Sequence, residues 1–251
     1  DGLRALGDKA IDSALETRFA YVITGDRDAD QLSRAGLVGL SFELARRTAL
    51  EPAPPVGIDL STDELSLYPL MYWPISATTP LPAEDVLARI EAYMANGGLI
   101  LFDTGDGDRR VGNAQTPEGL ALRRILEQLN VPPLEPLPDG HVLGRSFYLM
   151  DDLPGRNSGG PVWVESGAAV GNRNDGVTPV IIGGRDWAAA WAVDEFQRPL
   201  RPMGAGGYRQ REDAFRAGIN IAMVALTGNY KVDQLQAEAL LKQLGEEEDE
   251  E

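Results

Sequence analysis

Residues Gly97–Arg110 read GGLILFDTGDGDRR. Leu99–Phe102 are four consecutive apolar residues with no polar alternation, so a strand built from them needs cover on both faces, as in a parallel sheet. The run ends at Asp103, and Gly105 and Gly107 then permit backbone turns that a side chain would hinder. A strand leaving the core through a small, acidic turn stands at the carboxyl end of the sheet, where doubly wound α/β folds bind ligands. Asp103, Thr104 and Asp106 are therefore candidate ligand-facing residues. The competing reading is a structural turn in which Arg109 and Arg110 neutralise Asp103, Asp106 and Asp108 without a metal.

The segments around this stretch extend the pattern. Phe19–Thr24, Val56–Leu60 and Leu70–Ile75 read as strands, the last ended by Pro74 or left on an edge. A helix over Gln31–Ala49, capped by Asp30, carries Leu37, Leu40 and Leu44 on one face, although Gly36 and Gly39 weaken it. The clearest helix is Ala83–Asn96, with Val86, Ile90, Tyr93 and Met94 as its stripe and Gly97 as a left-handed stop. Thr116–Pro117–Glu118 opens a further helix in cap, proline, acid order. Strands alternating with helices predict an α/β three-layer sandwich with a mainly parallel sheet, its first, third and fourth strands adjacent.

Beyond residue 130 the texture changes. Ser146–Met150 reads as extended, and Val162–Glu165 and Pro179–Ile182 as strands. Gly184–Trp187 is expected to turn the chain into a partner strand, Ala188–Val193. Helices are expected over Arg211–Leu226, ended at Gly228, and over Val232–Leu244. No repeat and no long linker divides the chain. Residues 1–15 are expected to link to an upstream region, 16–245 to form one domain, and the acidic tail 246–251 to be disordered.

Composition narrows the function classes. Of 251 residues, 43% are hydrophobic, enough for a sizeable core, and the net charge is −16. Glu246–Glu251 supplies six of those charges, and without it 33 acids still face 23 bases. Such a surface repels phosphate backbones and anionic bilayers, so no nucleic acid is expected as a partner. The absence of cysteine excludes disulfides, thiolate metal sites and a cysteine nucleophile. A single histidine, His141, excludes a multi-histidine metal site, and no metal or other cofactor is expected. Neither G-x-x-x-x-G-K-[ST] nor G-x-G-x-x-G lies near the acidic turn, and no G-x-S-x-G occurs. The chain opens on Asp1 with charged residues and no signal peptide, as expected of a domain cut from something longer. Leu65–Ala83 is uncharged for 19 residues, but four prolines exclude a spanning helix.

The remaining candidates each have a plain structural alternative. Asp26, Asp28 and Asp30 alternate like a calcium loop, yet Gln31 and Leu37 stand where glycine and glutamate are required, so capping explains them better. His141, in PDGHVLGRSFY, is either a loop hydrogen-bonder or a base. Asp186 with Trp187 and Trp191 would line a sugar-binding surface, or the tryptophans pack in the core.

Several phrases together resemble one bacterial family of unknown function: ETRFAYVITGD, DELSLYPLMYWPI, YMANGGLILFDTGD, VPPLEPLPDGHVLGRSFYLMDDLPGR, PVIIGGRDWAAAWAVDE and FRAGINIAMVALTGNYKVDQ. The resemblance spans about residues 16–245. It implies the C-terminal domain of a long membrane protein whose N-terminal part is BatA-like, of the aerotolerance-regulator type. It further implies a class I glutamine amidotransferase-like (flavodoxin-like) fold of the kind found in trehalose-utilisation proteins. The amidotransferase triad needs a cysteine this chain lacks, and only Asp103–Thr104–Gly105 remains as a formal counterpart of that region. GHVLGRSFY is similar to a histidine motif of the trehalose-utilisation relatives, with Val142 in place of its proline.

Two functions compete. The first is a non-catalytic ligand-binding or protein-interaction domain on the periplasmic side of a membrane-anchored cell-envelope protein. It would use Asp103, Thr104, Asp106, His141, Asp186 and Trp187 toward a small polar ligand or an envelope protein, with the upstream membrane-embedded region as a partner in the same polypeptide. The second is a hydrolase or lyase acting on a small polar or carbohydrate substrate, with His141 and Asp103 as the catalytic pair.

Overall fold

The computed structural model describes residues 16–109, 115–166 and 179–248, with side chains described as far as residue 227. The opening stretch forms a strand at the centre of everything else. In chain order the elements are β1 (Arg18–Val22), α1 (Arg27–Arg47), β2 (Ala53–Ile58), β3 (Leu70–Pro74), α2 (Glu84–Ala95), β4 (Leu99–Asp103), α3 (Pro117–Leu126), β5 (Leu134–Pro136), β6 (Trp163–Glu165), β7 (Val180–Gly183), α4 (Trp187–Trp191) and α5 (Gly207–Glu248). Among the described residues seven strands make one sheet in the order β2-β1-β3-β4-β7-β6-β5. The first five in that order are mutually parallel, and β6 and β5 close the far edge antiparallel to their neighbours.

β4 is buried at all five positions, and the period of two explains why it shows no polar alternation. Leu99 and Leu101 point into a core shared with Leu37, Leu40 and Leu44 of α1, with α4 and with α5. Ile100 and Phe102 point into the opposite core, with Ile90 of α2 and Leu122 and Ile125 of α3. Helices thus cover both faces, and β1, β3 and β4 are adjacent as expected. Pro74 does end β3, but inside the sheet, paired in register with Asp103. As the last residue of its strand it interrupts no ladder, and Ile75 N–H donates to the Asp103 carbonyl at 2.8 Å beyond it.

Three expectations for the second half need correction, and others along the chain lie outside the described residues. Trp187–Trp191 is a helix, not the start of a strand. Spaced four apart, the tryptophans lie on one side of a single turn, and both are fully buried in the core between α1 and α5. The two helices expected after residue 210 are one, Gly207–Glu248. Glycine within a helix costs about 1 kcal/mol but ends it only with a left-handed turn, and no proline follows Gly228 to enforce a stop. Ser146–Met150 is irregular rather than extended, held by the buried Asn220, whose Oδ1 accepts from Phe147 N and Tyr148 N at 3.2 and 2.8 Å. The expected linker 1–15, Arg110 and the last three residues of the acidic tail lie outside the described residues. β5 was not anticipated: prolines flank and occupy it, which suits an outermost strand that needs fewer N–H donors.

Candidate functional site

β1 leads through α1 to β2 on one side, while β3 lies against the other side of β1. Connections therefore diverge at the carboxyl ends of β1 and β3, the switch point at which open α/β sheets form a ligand crevice. The crevice is present and has two lobes. The upper lobe, about 310 Å³, is lined by Thr24, Asp59, Ser61, Trp73, Ser76 and Thr79 among others. The lower lobe, about 190 Å³, reaches Tyr72, Asp103, Thr104, Gly105 and Asp186. Thr24, Asp26 and Ser76 line both.

The rim is built from local turns. Asp26, rather than the expected Asp30, caps α1: its Oδ1 accepts from Asp28 N at 2.9 Å and Ala29 N at 3.1 Å. Asp30 Oδ1 instead accepts from both the amide and the hydroxyl of Thr24, at 2.8 and 2.7 Å, fixing the end of β1. Beyond β3, the Ser76 hydroxyl lies 3.1 Å from that of Thr78 and 3.2 Å from that of Thr79. Beyond β2, Asp59 Oδ1 accepts from Ser61 N and Oγ, and these bonds hold its carboxyl below its ordinary range.

Asp103 sits beneath the lower lobe, 3% exposed. Its Oδ1 accepts from Gly105 N and Asp186 N, both at 3.0 Å. Its Oδ2 accepts from Tyr72 Oη at 3.0 Å and Trp187 N at 2.6 Å. Burial and then the nearby Asp186 carboxylate push Asp103 up to about 7, against the pull of the three backbone donors. Burial pushes the Tyr72 hydroxyl up as well, with both carboxylates adding to it. Asp186 adopts a left-handed backbone, φ 54° and ψ 52°, a region that few residues other than glycine visit, aspartate and asparagine being the more tolerant ones. Its carboxylate pairs with Arg156 at 3.0 Å, yet burial still raises its pKa. Asp103 therefore acts as a staple. Through two backbone amides it pins the strained turn that starts α4, while Arg211, itself 7% exposed, donates to the Ala190 carbonyl at the other end of that helix.

The other candidates separate. Thr104 is buried and donates to Asp106 Oδ1. Asp106 is fully buried and also accepts from the Thr116 hydroxyl, the residue that caps α3. Asp108 is exposed and its Oδ1 accepts from Ser158 N at 3.0 Å and Gly159 N at 3.3 Å. Arg109 does not neutralise the turn; it pairs with Glu118 at 2.9 Å. Gly105 has the positive φ of 58° that its role as a turn requires. Gly107 serves differently: a Cβ there would stand 2.6 Å from both the Gly159 and Gly184 carbonyls, so it permits close approach of three segments.

His141 starts a short turn in which its Nδ1 accepts from Leu143 N at 3.2 Å. Burial lowers its pKa and Glu135 opposes that, so its charged neighbour is Glu135, while that of Asp103 is Asp186. The two residues of the expected catalytic pair face different groups. Trp187 is core, its Nε1 donating to the Leu153 carbonyl at 3.2 Å. Of the six ligand-facing candidates, Asp103, Thr104 and Asp186 line the crevice, whereas Asp106, His141 and Trp187 line neither lobe. Sequence reasoning passed over Thr24, Asp59, Ser61, Ser76 and Thr79. Their signal was positional: in a parallel sheet the polar residues after each strand converge on one edge, so ISATTP after β3 belongs with FDTGD after β4.

Among the described residues no group of three or more histidine, aspartate or glutamate side chains could hold a metal ion. No described helix is long and apolar enough to cross a membrane. No curated protein matches the chain. The family profile described as Domain of unknown function (DUF4159) matches residues 18–226, from the first residue of β1 into α5. With most of its length so matched, the chain belongs to the DUF4159 family.

Proposed function

We propose that this is a non-catalytic ligand-binding domain that takes a small polar molecule in the crevice between the ends of β1 and β3. The observation that carries the reading is the two-lobed cavity at the topological switch point, where hydroxyls and carboxylates from the ends of β1, β2, β3, β4 and β7 converge. Asp103 supports it as a binder rather than a catalyst. Each of its oxygens already accepts two hydrogen bonds, which suits a structural anchor and leaves it poorly placed to abstract a proton. The hydrolase or lyase alternative draws no support from the crevice, which Asp103 lines and His141 does not. The strand order β2-β1-β3-β4 and helices on both faces are compatible with the class I glutamine amidotransferase-like fold that the sequence resembles. The same resemblance supports a membrane-anchored, BatA-like parent with this domain on the periplasmic side.

Screening a fragment library against amide chemical shifts of the ¹⁵N-labelled domain tests the binding reading. Hits should cluster at residues 24–26, 59–61 and 76–79; hits confined to other surfaces would defeat it. Protease accessibility in spheroplasts tests the location. Cleavage of this domain in intact spheroplasts is expected, and protection alongside a cleaved periplasmic control would place it inside.

A further inference from the structure

The lining of the upper lobe is more selective than its size. Its floor is apolar and continuous with the core under α2: Val22, Trp73 and Val86 are all buried there, the Trp73 ring packed at a tilt against Phe102 with centroids 5.2 Å apart. Its rim is hydroxylic, with Thr24, Ser61, Ser76, Thr78 and Thr79 contributed by loops after three different strands. The Ser76–Thr78 and Ser76–Thr79 contacts can each run in either direction. Such rotors donate or accept as a partner requires, and so match groups that are themselves both donor and acceptor. The carboxylates of the upper rim, Asp26 and Asp59, add acceptors, and among the described residues no lysine or arginine lines either lobe.

From this we infer that the upper lobe binds an uncharged cyclic polyol, a sugar or inositol ring, with its apolar ring face on the Val22–Trp73–Val86 floor and its hydroxyls on the Ser76–Thr79 rim. The inference rests on the binding reading above and narrows it. A phosphate or carboxylate ligand finds no cation among the described lining residues and meets two acids at the rim. A wholly apolar ligand would displace water from the rim hydroxyls without using the hydrogen-bonding capacity that their contacts with one another leave over. The volume of about 310 Å³ lies at the small end of ligand cavities, which fits a single ring.

The test is a set of amide-shift titrations of the ¹⁵N-labelled domain with myo-inositol, methyl β-D-glucopyranoside, methyl α-D-mannopyranoside, glucose 6-phosphate and, as a non-polyol cation, choline. At least one neutral polyol should give saturable shifts at residues 24–26, 59–61 and 76–79. Glucose 6-phosphate should bind at least tenfold more weakly than that polyol. Ser76→Ala with Thr79→Ala removes two hydrogen-bonding hydroxyls and should weaken the polyol roughly tenfold. Thr78 is exposed at the rim, so Thr78→Trp should fold normally by circular dichroism while filling the mouth and abolishing the shifts. If choline or library fragments shift the crevice and no neutral polyol does, the polyol inference fails and the binding reading survives. Equal or tighter binding of glucose 6-phosphate, or unchanged polyol binding by Thr78→Trp, also overturns it. If neither polyols nor fragments perturb the crevice, both readings fall together.

Discussion

Asp103 and Asp106 stand three positions apart and are both buried, but they do different work. Replacing Asp103 by Asn keeps one acceptor oxygen and turns an amide NH₂ toward other donors, so either the Trp187 or the Asp186 N–H loses its partner. At pH 5 the change should cost about 1–3 kcal/mol, the penalty of a buried donor left unmade. The pH dependence follows from the raised pKa. A folded-state value near 7, against an unfolded value of 3.8, means the folded protein holds a proton that the unfolded chain releases. That contribution is complete below about pH 4 and is lost as pH rises through about 7, by at most about 1.4 kcal/mol per pH unit. Urea denaturation at pH 5 and pH 8 should therefore find Asp103→Asn more costly at pH 5. A larger cost at pH 8 would mean the four donors hold the carboxylate ionised after all. Asp108→Asn keeps an oxygen for Ser158 and Gly159 and should cost under about 1 kcal/mol at its exposed site. Asp106→Ala should cost about 1–3 kcal/mol, because it removes the acceptor of the half-buried Thr116 hydroxyl and leaves the buried Thr104 hydroxyl only its 3.2 Å contact to the Gly183 carbonyl. Equal stability of the two variants would show that Asp106 does not tie the turn to α3.

α1 looks poor as a helix in isolation, with Gly36 and Gly39 mid-span. Their use is visible only against α4. A Cβ at Gly36 would stand 2.6 Å from the Ala188 carbonyl, and one at Gly39 would collide with that of Trp191. Glycine lets the backbones of α1 and α4 touch, and Gly218 of α5 makes similar room for the Trp191 ring. Gly36→Ala or Gly39→Ala should therefore destabilise the domain by about 1–3 kcal/mol, despite the better helix propensity of alanine. Thermal unfolding decides the sign, and a raised melting temperature for either variant would show that α4 simply moves aside. The same packing explains why Trp187–Trp191 is helical. Ala188–Ala190 are strong helix formers, and a slot between two long helices accepts one turn with both indoles on the buried side.

The assembled domain presents an acidic exterior and a thiol-free interior. Since amidotransfer from glutamine needs a nucleophile of the kind cysteine supplies, the purified domain should release no ammonia from glutamine. Activity above a heat-denatured control that disappears in Thr104→Val would contradict this. The acidic excess also bears on selectivity, because long-range repulsion of anions reinforces the cation-free lining of the crevice, and added salt should weaken that discrimination.

Much of the architecture was readable along the chain. Leu99–Phe102 demanded double cover, Val86–Ile90–Tyr93 set one helix, Thr116–Pro117 started another, and the missing cysteine removed a whole class of chemistry. Each of these is a property of one segment's own side chains, and local periodicity reports it directly. The meeting of Asp103 with the amides of Asp186 and Trp187, more than eighty positions away, has no such local trace. Nor does the convergence of Thr24, Ser61 and Ser76 on one crevice, or the placing of Asp103 at it and of His141 outside it. Those depend on which strand lies beside which, and strand order is settled by the packing of α1, α4 and α5 on one face and of α2 and α3 on the other. Burial against neighbours distant in the chain decides that packing, so the elements were legible one by one and the site only once they had been assembled.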